Sequence, residues 1–215
     1  PFPRHIHYEN QAGLMFARKK GLAESKYPYI VFVDDDNWLD ENYLIKMVSV
    51  FEKYPMCAAL GGINYPVFES KKPDWFDRFD HSFAVGRLAK SFGEPDEIGL
   101  FGAGLCLRKA AYDDLVNKGF SCRLVGRTGK SLSSGEDYEM CKALKIAGWE
   151  ILFTPTLKLN HFITKSRLNW KYLKKLNLAT SPTIIGNKKT AYKFSLNFFF
   201  GGILNFNIFF FNSFF

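Results

Sequence analysis

The chain has 215 residues, 47% of them hydrophobic, and a formal net charge of +8 at pH 7. This length and composition are enough for one hydrophobic core with an appendage. The four cysteines are scattered, with no close pair at metal-ligand spacing, which excludes a zinc or disulfide framework and favours reduced thiols in a cytosolic compartment.

The excess positive charge lies in the last third of the chain. Residues 151–215 contain nine Lys or Arg and no acid, whereas residues 1–150 contain 20 basic and 21 acidic residues. Residues 194–215 carry no charge and ten Phe. A basic stretch that runs into an uncharged aromatic one favours contact with an anionic membrane surface over nucleic-acid binding. Four Asn and two adjacent Gly argue against a transmembrane helix, so the alternative is a disordered, low-complexity tail.

Helices and strands alternate in the first part of the chain. The spacing of apolar residues predicts a helix at 11–25, and a β-rich apolar run predicts a buried strand at 29–33. A turn at 34–37 leads to a second helix, which Asp40 would cap. Another strand is predicted to begin at Ala58.

The same alternation continues after a long loop. Residues 64–98 are rich in aromatics, Pro and Asp without a clear period, which predicts a loop region with short helices that shapes a site. A Gly-rich segment then leads to a short strand at 105–107 and a helix. A basic loop at 119–134 precedes a helix that Gly148 ends, and the last strand is predicted at 151–153.

This order of elements predicts three segments. An α/β domain with a mostly parallel sheet would occupy residues 1–165. A basic amphipathic helical segment would follow at 166–193, and the uncharged Phe-rich tail at 194–215. In the helical segment Leu168 and Tyr172 share one face, so this segment would either pack against the domain or lie on a membrane.

Three consecutive aspartates, Asp34, Asp35 and Asp36, follow the first predicted strand. The carboxyl end of a parallel strand is where open α/β sheets bind their ligands, and clustered carboxylates there suit Mg²⁺ or Mn²⁺. The simpler alternative is a solvated turn, since Asp favours turns. An EF-hand fits poorly, because Trp38 would occupy the fifth position of such a loop.

Two acids, Glu136 and Asp137, open the helix that follows the basic loop. Ser134 and Asp137 have the spacing of a capping box, and acids in a first turn complement the helix macrodipole, so capping is the structural interpretation. The functional interpretation is a general base, since a carboxylate at a helix N-terminus stays ionised near neutral pH. His161 is either structural or a metal ligand, and the glycines at 102–104 either admit a ligand or form a tight turn.

The order of these motifs resembles that of glycosyltransferase family 2, which has the GT-A fold. "VFVDDDN" is similar to the family's DxD motif, and "SGEDYEMCKALKIAGWEI" to its ED motif. "ENQAGLMFARKKGL" resembles the helix before the DxD strand, and "GAGLCLRKAAYDDL" the sugar-site segment. The resemblance covers residues 9 to 176. It implies a GT-A-like, Rossmann-like domain that is truncated at its N-terminus, because the strand–helix–strand unit that binds the nucleotide base would have to precede Pro1.

The resemblance also implies which residues bind the donor. Asp36, together with Asp34 and His161, would hold Mn²⁺ or Mg²⁺ on the nucleotide diphosphate, and Asp34 or Asp35 would contact the ribose. The donor sugar would be lined by Gly102, Ala103 and Gly104.

For the acceptor, the resemblance implies that Asp137 takes the proton from a hydroxyl while Glu136 beside it binds the acceptor. The reaction would be an inverting transfer from a nucleotide-diphosphate sugar to a glycan or lipid-linked acceptor, as for a cell-envelope polysaccharide. The protein would be cytoplasmic or peripheral on the cytoplasmic face of the membrane, without nucleic acid as a partner. The alternatives are a nucleotidyltransferase-like enzyme, which also uses acids and a metal on nucleotide phosphates, and a membrane-associated binding protein without activity.

Overall fold

Six strands form one sheet in the computed structural model, which describes residues 5–97, 99–128, 132, 134–187 and 206–211. In chain order the strands are β1 (Tyr29–Asp34), β2 (Asn37–Leu39), β3 (Cys57–Phe68), β4 (Cys106–Arg108), β5 (Glu150–Ile163) and β6 (Phe206–Phe211). The helices are α1 (Leu14–Glu24), α2 (Tyr43–Lys53), α3 (Lys109–Asn117), α4 (Glu136–Ile146) and α5 (Trp170–Asn187). Short 3₁₀ turns are formed by Phe76–Arg78, Asp80–Phe83 and Lys165–Arg167.

The sheet is mixed, with the order β2–β5–β3–β4–β1–β6. β3 and β5 are parallel, as are β1 and β6, whereas β4 runs antiparallel to β1 and β3, and β2 antiparallel to β5. The prediction of a mostly parallel sheet is therefore wrong. β4 is reversed because the chain reaches it at the carboxyl end of β1, where Gly104 donates its N–H to the Phe32 carbonyl over 3.0 Å. A strand of three residues has no hydrophobic pattern from which its direction could be predicted.

Alternate residues of β1 supply two cores, one on each face of the sheet. On one face Ile30 and Phe32 pack in a cluster with residues of α1, α3 and α4. On the other face Tyr29, Val31 and Val33 pack in a cluster with residues of α2. Burial on both faces is why this strand is an uninterrupted apolar run. Burial on both faces also fixes β1 between the two layers of helices, so the aspartates that follow it have a well-defined position at its carboxyl end.

The second helix begins after Asn42, which is its N-cap. The prediction that Asp40 caps this helix is wrong, because the Asp40 carboxylate pairs with Lys46 over 2.6 Å. The N-cap of α4 is Gly135 rather than Ser134. Gly148 follows α4 with a φ of 92°, in the left-handed region that a glycine adopts readily at a helix end, as the sequence predicted.

The last predicted strand is much longer than expected, because β5 continues through His161. Pro155 lies between Phe153 and Lys158, in a stretch that leaves the ladder with β3. An X–Pro unit is tolerated there because no ladder hydrogen bond is required of it. The continued strand places His161 opposite Asn37 of β2, beside the aspartates.

The region predicted as a long loop at 64–98 contains the end of β3 and two 3₁₀ turns, as short helices had been expected there. These turns contribute Phe76 and Phe83 to an aromatic cluster that also includes Leu173 of α5. Ser82 donates a hydrogen bond to Asn177 of the same helix over 3.0 Å. Of the basic segment predicted at 166–193, the described part is thus helical over Trp170–Asn187, and Leu173 docks it on the domain, whereas residues 188–193 lie outside the described residues.

The predicted tail at 194–215 lies largely outside the described residues. Its described part is β6, which pairs parallel with β1 from Tyr29 opposite Phe206 to Asp34 opposite Phe211. Membrane contact or disorder of residues 194–205 and 212–215 stays a prediction. Within the described part of the chain, no helix has the length and the apolar character needed to cross a bilayer.

Candidate active site

The Gly-rich turn before β4 closes over the carboxyl end of β1. Gly104 has a φ of 75°, and a Cβ at this position would collide with Leu159 and lie 2.8 Å from the Tyr43 hydroxyl. The Tyr43 hydroxyl donates a hydrogen bond to the Gly104 carbonyl over 2.7 Å. Ala103 is buried, and its carbonyl accepts a hydrogen bond from the Asn64 amide over 3.3 Å. The turn is therefore held by the core on both sides.

Gly102 lies where two motifs meet. A Cβ built on this residue would be 2.5 Å from Nη2 of Arg18 and 2.8 Å from Oδ2 of Asp137. The glycine segment and the second acid of the GED sequence, which are 35 positions apart in the chain, are thus direct neighbours. Only a residue without a side chain allows Arg18 and Asp137 to approach the backbone this closely.

A buried ion pair lies behind this point. Nη1 of Arg18 is 3.2 Å from Oε1 of Glu136, and both side chains are at most 5% exposed. The Arg18 guanidinium also stacks over the Phe32 ring, 5.1 Å from its centroid. Among the described residues, Nε of Arg18 and Oε2 of Glu136 have no hydrogen-bond partner. The pair therefore retains one buried donor and one buried acceptor that the described residues leave unsatisfied.

Burial dominates the acid–base properties of this group. It raises the pKa of Glu136 to about 7, with the Asp137 charge adding to the increase and Arg18 opposing it. Burial also raises the pKa of Asp34 above its ordinary value, where Arg18 opposes the shift and the Asp36 charge adds to it. Arg18 thus acts electrostatically on an acid of each motif. Asp137 itself is only half-buried, so it is the more accessible of the two GED acids.

A second group of side chains surrounds Asp36. Its Oδ2 accepts a hydrogen bond from Nη1 of Arg167 over 2.9 Å and lies 3.6 Å from Nε2 of His161. Its Oδ1 accepts from the Asn37 amide over 2.9 Å. Burial alone would raise the pKa of Asp36, but hydrogen bonding to His161 and the charges of His161 and Arg167 outweigh it, so the pKa is lowered. Asp35 is exposed at the turn.

The donor atoms at Asp36 fit a divalent cation in part. Among the described residues, no three His, Cys, Asp or Glu side chains converge as a ready-made metal cluster. A carboxylate and an imidazole nevertheless face each other at Asp36 and His161, and the buried Asn37 Oδ1 beside them has no hydrogen-bond partner within the described chain. Two protein ligands suit Mg²⁺ or Mn²⁺, which commonly complete their coordination with water and substrate phosphates.

The loop before α4 is fixed by a residue that the sequence reasoning missed. The buried Glu139 carboxylate accepts hydrogen bonds from the N–H groups of Arg123 and Leu124, each over 3.0 Å, and from the Cys122 thiol over 2.9 Å. Backbone carbonyls of this loop accept hydrogen bonds from the first N–H groups of α1. Loop, α1 and α4 are thereby joined behind the Arg18–Glu136 pair.

Arg18 and Arg167 were also missed. Arg18 had a detectable signal, because it lies three residues after Met15 and four before Leu22, on the buried face of the predicted first helix. An arginine on an apolar helix face indicates a buried partner. Arg167 had no comparable signal, since nothing in "TKSRLNW" points to a carboxylate 131 residues earlier in the chain.

Comparison with known proteins assigns the class. The profile of the glycosyltransferase-like family 2 matches residues 7–179. This is most of the chain, and the chain therefore belongs to the glycosyltransferase-like family 2, which confirms the resemblance seen in its DDD and GED motifs. Membership of a glycosyltransferase family disfavours the alternative of a nucleotidyltransferase-like enzyme.

Two similar proteins show how far this likeness extends. The glucosyl-dolichyl phosphate glucuronosyltransferase of Haloferax volcanii is 22% identical over 172 residues, which are 79% of this chain and 53% of that protein. The chain thus spans about half the length of this relative. The crystal structure of GalNAc-T7 with UDP, GalNAc and Mn²⁺ matches with a TM-score of 0.50 and 14% identity, over 74% of this chain and 32% of that one. This second likeness supports the GT-A-like fold.

Proposed function

We propose that the chain carries out an inverting, metal-dependent transfer of a sugar from a nucleotide-diphosphate sugar to a hydroxyl of a glycan or lipid-linked acceptor. The observation that carries the proposal is the position of Gly102. A Cβ atom placed on this residue would lie within 3 Å of side-chain atoms of both Arg18 and Asp137. This position supports a single site in which the predicted sugar-binding turn adjoins the predicted base. A lipid-linked acceptor is supported by the name of the Haloferax volcanii relative.

In this proposal Asp137 is the general base. It lies in the first turn of α4, and it is half-buried whereas Glu136 is buried, so it is the more accessible acid. Asp137 takes the proton of the acceptor hydroxyl as that oxygen bonds to the anomeric carbon and the bond to the diphosphate breaks. One displacement of this kind inverts the anomeric configuration. Glu136 holds Arg18 beside the base, and binding of the acceptor by Glu136 is part of the proposal.

The donor side of the site is formed by the aspartates and the glycine turn. Asp36 and His161, with Asp34 next to them, would hold Mn²⁺ or Mg²⁺, which supplies positive charge to the leaving diphosphate. Asp35 is exposed at the turn, where it can contact the ribose. The donor sugar would lie against the backbone of Gly102, Ala103 and Gly104.

Exposed residues of α5 support a peripheral position on an anionic membrane. Trp170 is half-exposed and Leu178 is 73% exposed, and three exposed lysines lie between them: Lys171, Lys174 and Lys175. Aromatic and aliphatic side chains beside lysines suit the interface of an anionic membrane. We include binding to the cytoplasmic face of such a membrane in the proposal, since it would bring the site close to a lipid-linked acceptor.

The test is transfer itself, with Asp137→Asn as the decisive variant. Wild-type protein is assayed with Mn²⁺, a panel of nucleotide sugars and dolichyl-phosphate-linked acceptors, and the anomeric configuration of the product is read by NMR. Asp137→Asn should lower kcat by at least about 100-fold, because the base is lost, while the donor Kd from calorimetry stays the same. Asp74→Asn, an exposed acid on the loop region, is the matched control. Equal loss of donor affinity and kcat, or a product with retained configuration, would count against the mechanism.

A further inference from the structure

Arg167 donates a hydrogen bond to the predicted metal-binding carboxylate of Asp36. Its Nη1 lies 2.9 Å from Oδ2 of Asp36, the same oxygen that His161 faces from 3.6 Å. The side chains are 25% and 18% exposed, so the contact is shielded from water but lies within reach of a solute. The family motifs of the sequence analysis give Arg167 no role.

A guanidinium and a divalent cation compete for such an oxygen. Both are attracted by the Asp36 carboxylate, and their like charges repel at this distance in a partly buried site. A metal ion at Oδ2 would stand close to the Arg167 guanidinium as long as Nη1 keeps its hydrogen bond to that oxygen. The Arg167 charge therefore weakens metal binding at Asp36 unless its side chain turns away.

The backbone around Arg167 is held in place, so the side chain is the part that can turn. The Arg167 N–H bonds the Thr164 carbonyl over 2.9 Å, and the Lys165 N–H bonds the Glu69 carboxylate over 2.6 Å. Leu168 then enters the aromatic cluster that holds α5. The guanidinium is thus kept at the edge of the site, and a diphosphate there would present the oxygens that an arginine fork binds best.

We propose that Arg167 neutralises Asp36 until a metal ion binds, yields Oδ2 to that ion, and then binds the diphosphate that the ion carries. The second step rests on the proposed function, because it assumes a nucleotide-diphosphate donor. The first step concerns metal binding by the chain alone.

Arg167→Gln tests both steps without any transfer assay. The affinity for MnCl₂ alone is measured by electron paramagnetic resonance, and the affinity for inorganic diphosphate at saturating Mg²⁺ by calorimetry. Removing the competitor should tighten Mn²⁺ binding roughly fivefold. Removing a charge-assisted phosphate ligand should weaken diphosphate binding about tenfold. The two changes have opposite signs, which a general loss of structure would not produce.

Arg78→Gln is the matched control, since it removes the same charge from an exposed arginine in another 3₁₀ turn, Phe76–Arg78. It should change either affinity by less than about twofold. Arg167→Lys keeps the charge but loses the planar fork, so it should shift both affinities in the same directions by smaller factors, and it provides the test should Arg167→Gln not fold.

Weaker or unchanged Mn²⁺ binding in the Arg167 variants would overturn the first step, as would a wild-type chain that binds no Mn²⁺. Unchanged diphosphate binding would overturn the second step. Opposite shifts in a chain that transfers no sugar would leave the role of Arg167 standing and remove the proposed function. Sugar transfer by the wild type, with Mn²⁺ and diphosphate affinities that do not change in the Arg167 variants, would leave the proposed function standing and remove the role of Arg167.

Discussion

Arg18 and Glu136, 118 residues apart in the chain, form an ion pair of 3.2 Å that is almost wholly buried. Arg18 comes from α1 and Glu136 from the first turn of α4, so the pair joins two helices on the same face of the sheet. The adjacent residues are Gly102 and Asp137. The position of the proposed base therefore depends on a contact that is itself outside the reaction.

Arg18→Met tests this dependence. The substitution keeps an apolar stem of similar length but leaves Glu136 buried without its cation, and breaking a buried pair in this way costs about 3 kcal/mol of unfolding free energy at alkaline pH. The same change should lower the rate of sugar transfer, because Asp137 loses its support. Urea denaturation followed by circular dichroism measures the first effect.

The double variant Arg18→Met with Glu136→Met is the control for this experiment. Removing both charges leaves no unpaired ion, so the double variant should be more stable than Arg18→Met alone. If the two variants were equally unstable, the loss would come from packing around Arg18 and not from its charge.

Glu136 also predicts how stability depends on pH. Burial raises its pKa from 4.5 to about 7 in the folded chain, so that the folded state binds this proton more tightly than the unfolded state. The resulting stabilisation is present in full below about pH 4.5 and is lost as the pH rises to about 7. A shift of this size corresponds to about 3 kcal/mol.

Comparison with Glu136→Gln isolates that contribution, because glutamine does not titrate. Urea denaturation of both proteins between about pH 4.5 and about pH 8 should show the wild type losing stability relative to the variant as the pH rises. A difference that stays constant, or one that grows in favour of the wild type, would mean that Arg18 holds Glu136 ionised throughout.

Local patterns predicted the parts of the site that depend on neighbours in sequence. The end of the apolar run of β1 predicted a turn at the aspartates. The acids of "GED" lie in the first turn of α4, as expected. Their meeting in space followed from the family resemblance and not from spacing. His161 was expected near the aspartates, yet as a residue after a short strand, because Pro155 concealed the continuation of β5.

What could not be predicted is the choice of partners over long distances. Nothing in the sequence pairs Arg167 with Asp36 rather than with any other of the 21 acids. The direction of β4 could not be predicted either, because it depends on the end of the sheet at which the chain arrives after a long connection. Glu139 was hidden for a related reason, because its partners are backbone N–H groups, which every loop residue except proline possesses.

Glu139→Gln addresses that last contact. The Glu139 carboxylate accepts hydrogen bonds from the N–H groups of Arg123 and Leu124 and from the Cys122 thiol. Hydrogen bonds to a charged acceptor are stronger than those to a neutral amide, so the substitution should weaken the loop by about 1–2 kcal/mol. Amide hydrogen exchange at Arg123 and Leu124 should then accelerate roughly tenfold, while amides of β1 remain unchanged.

The control is Glu24→Gln, in an exposed pair with Lys20, which should leave exchange in the loop unaffected. Since loop carbonyls accept the first N–H groups of α1, a loosened loop also releases the helix that carries Arg18. Sugar transfer by Glu139→Gln should therefore decrease even though Glu139 touches neither donor nor acceptor in the proposed site. Faster exchange at Arg123 with undiminished transfer would show that the loop is dispensable for holding Arg18 and Glu136 together.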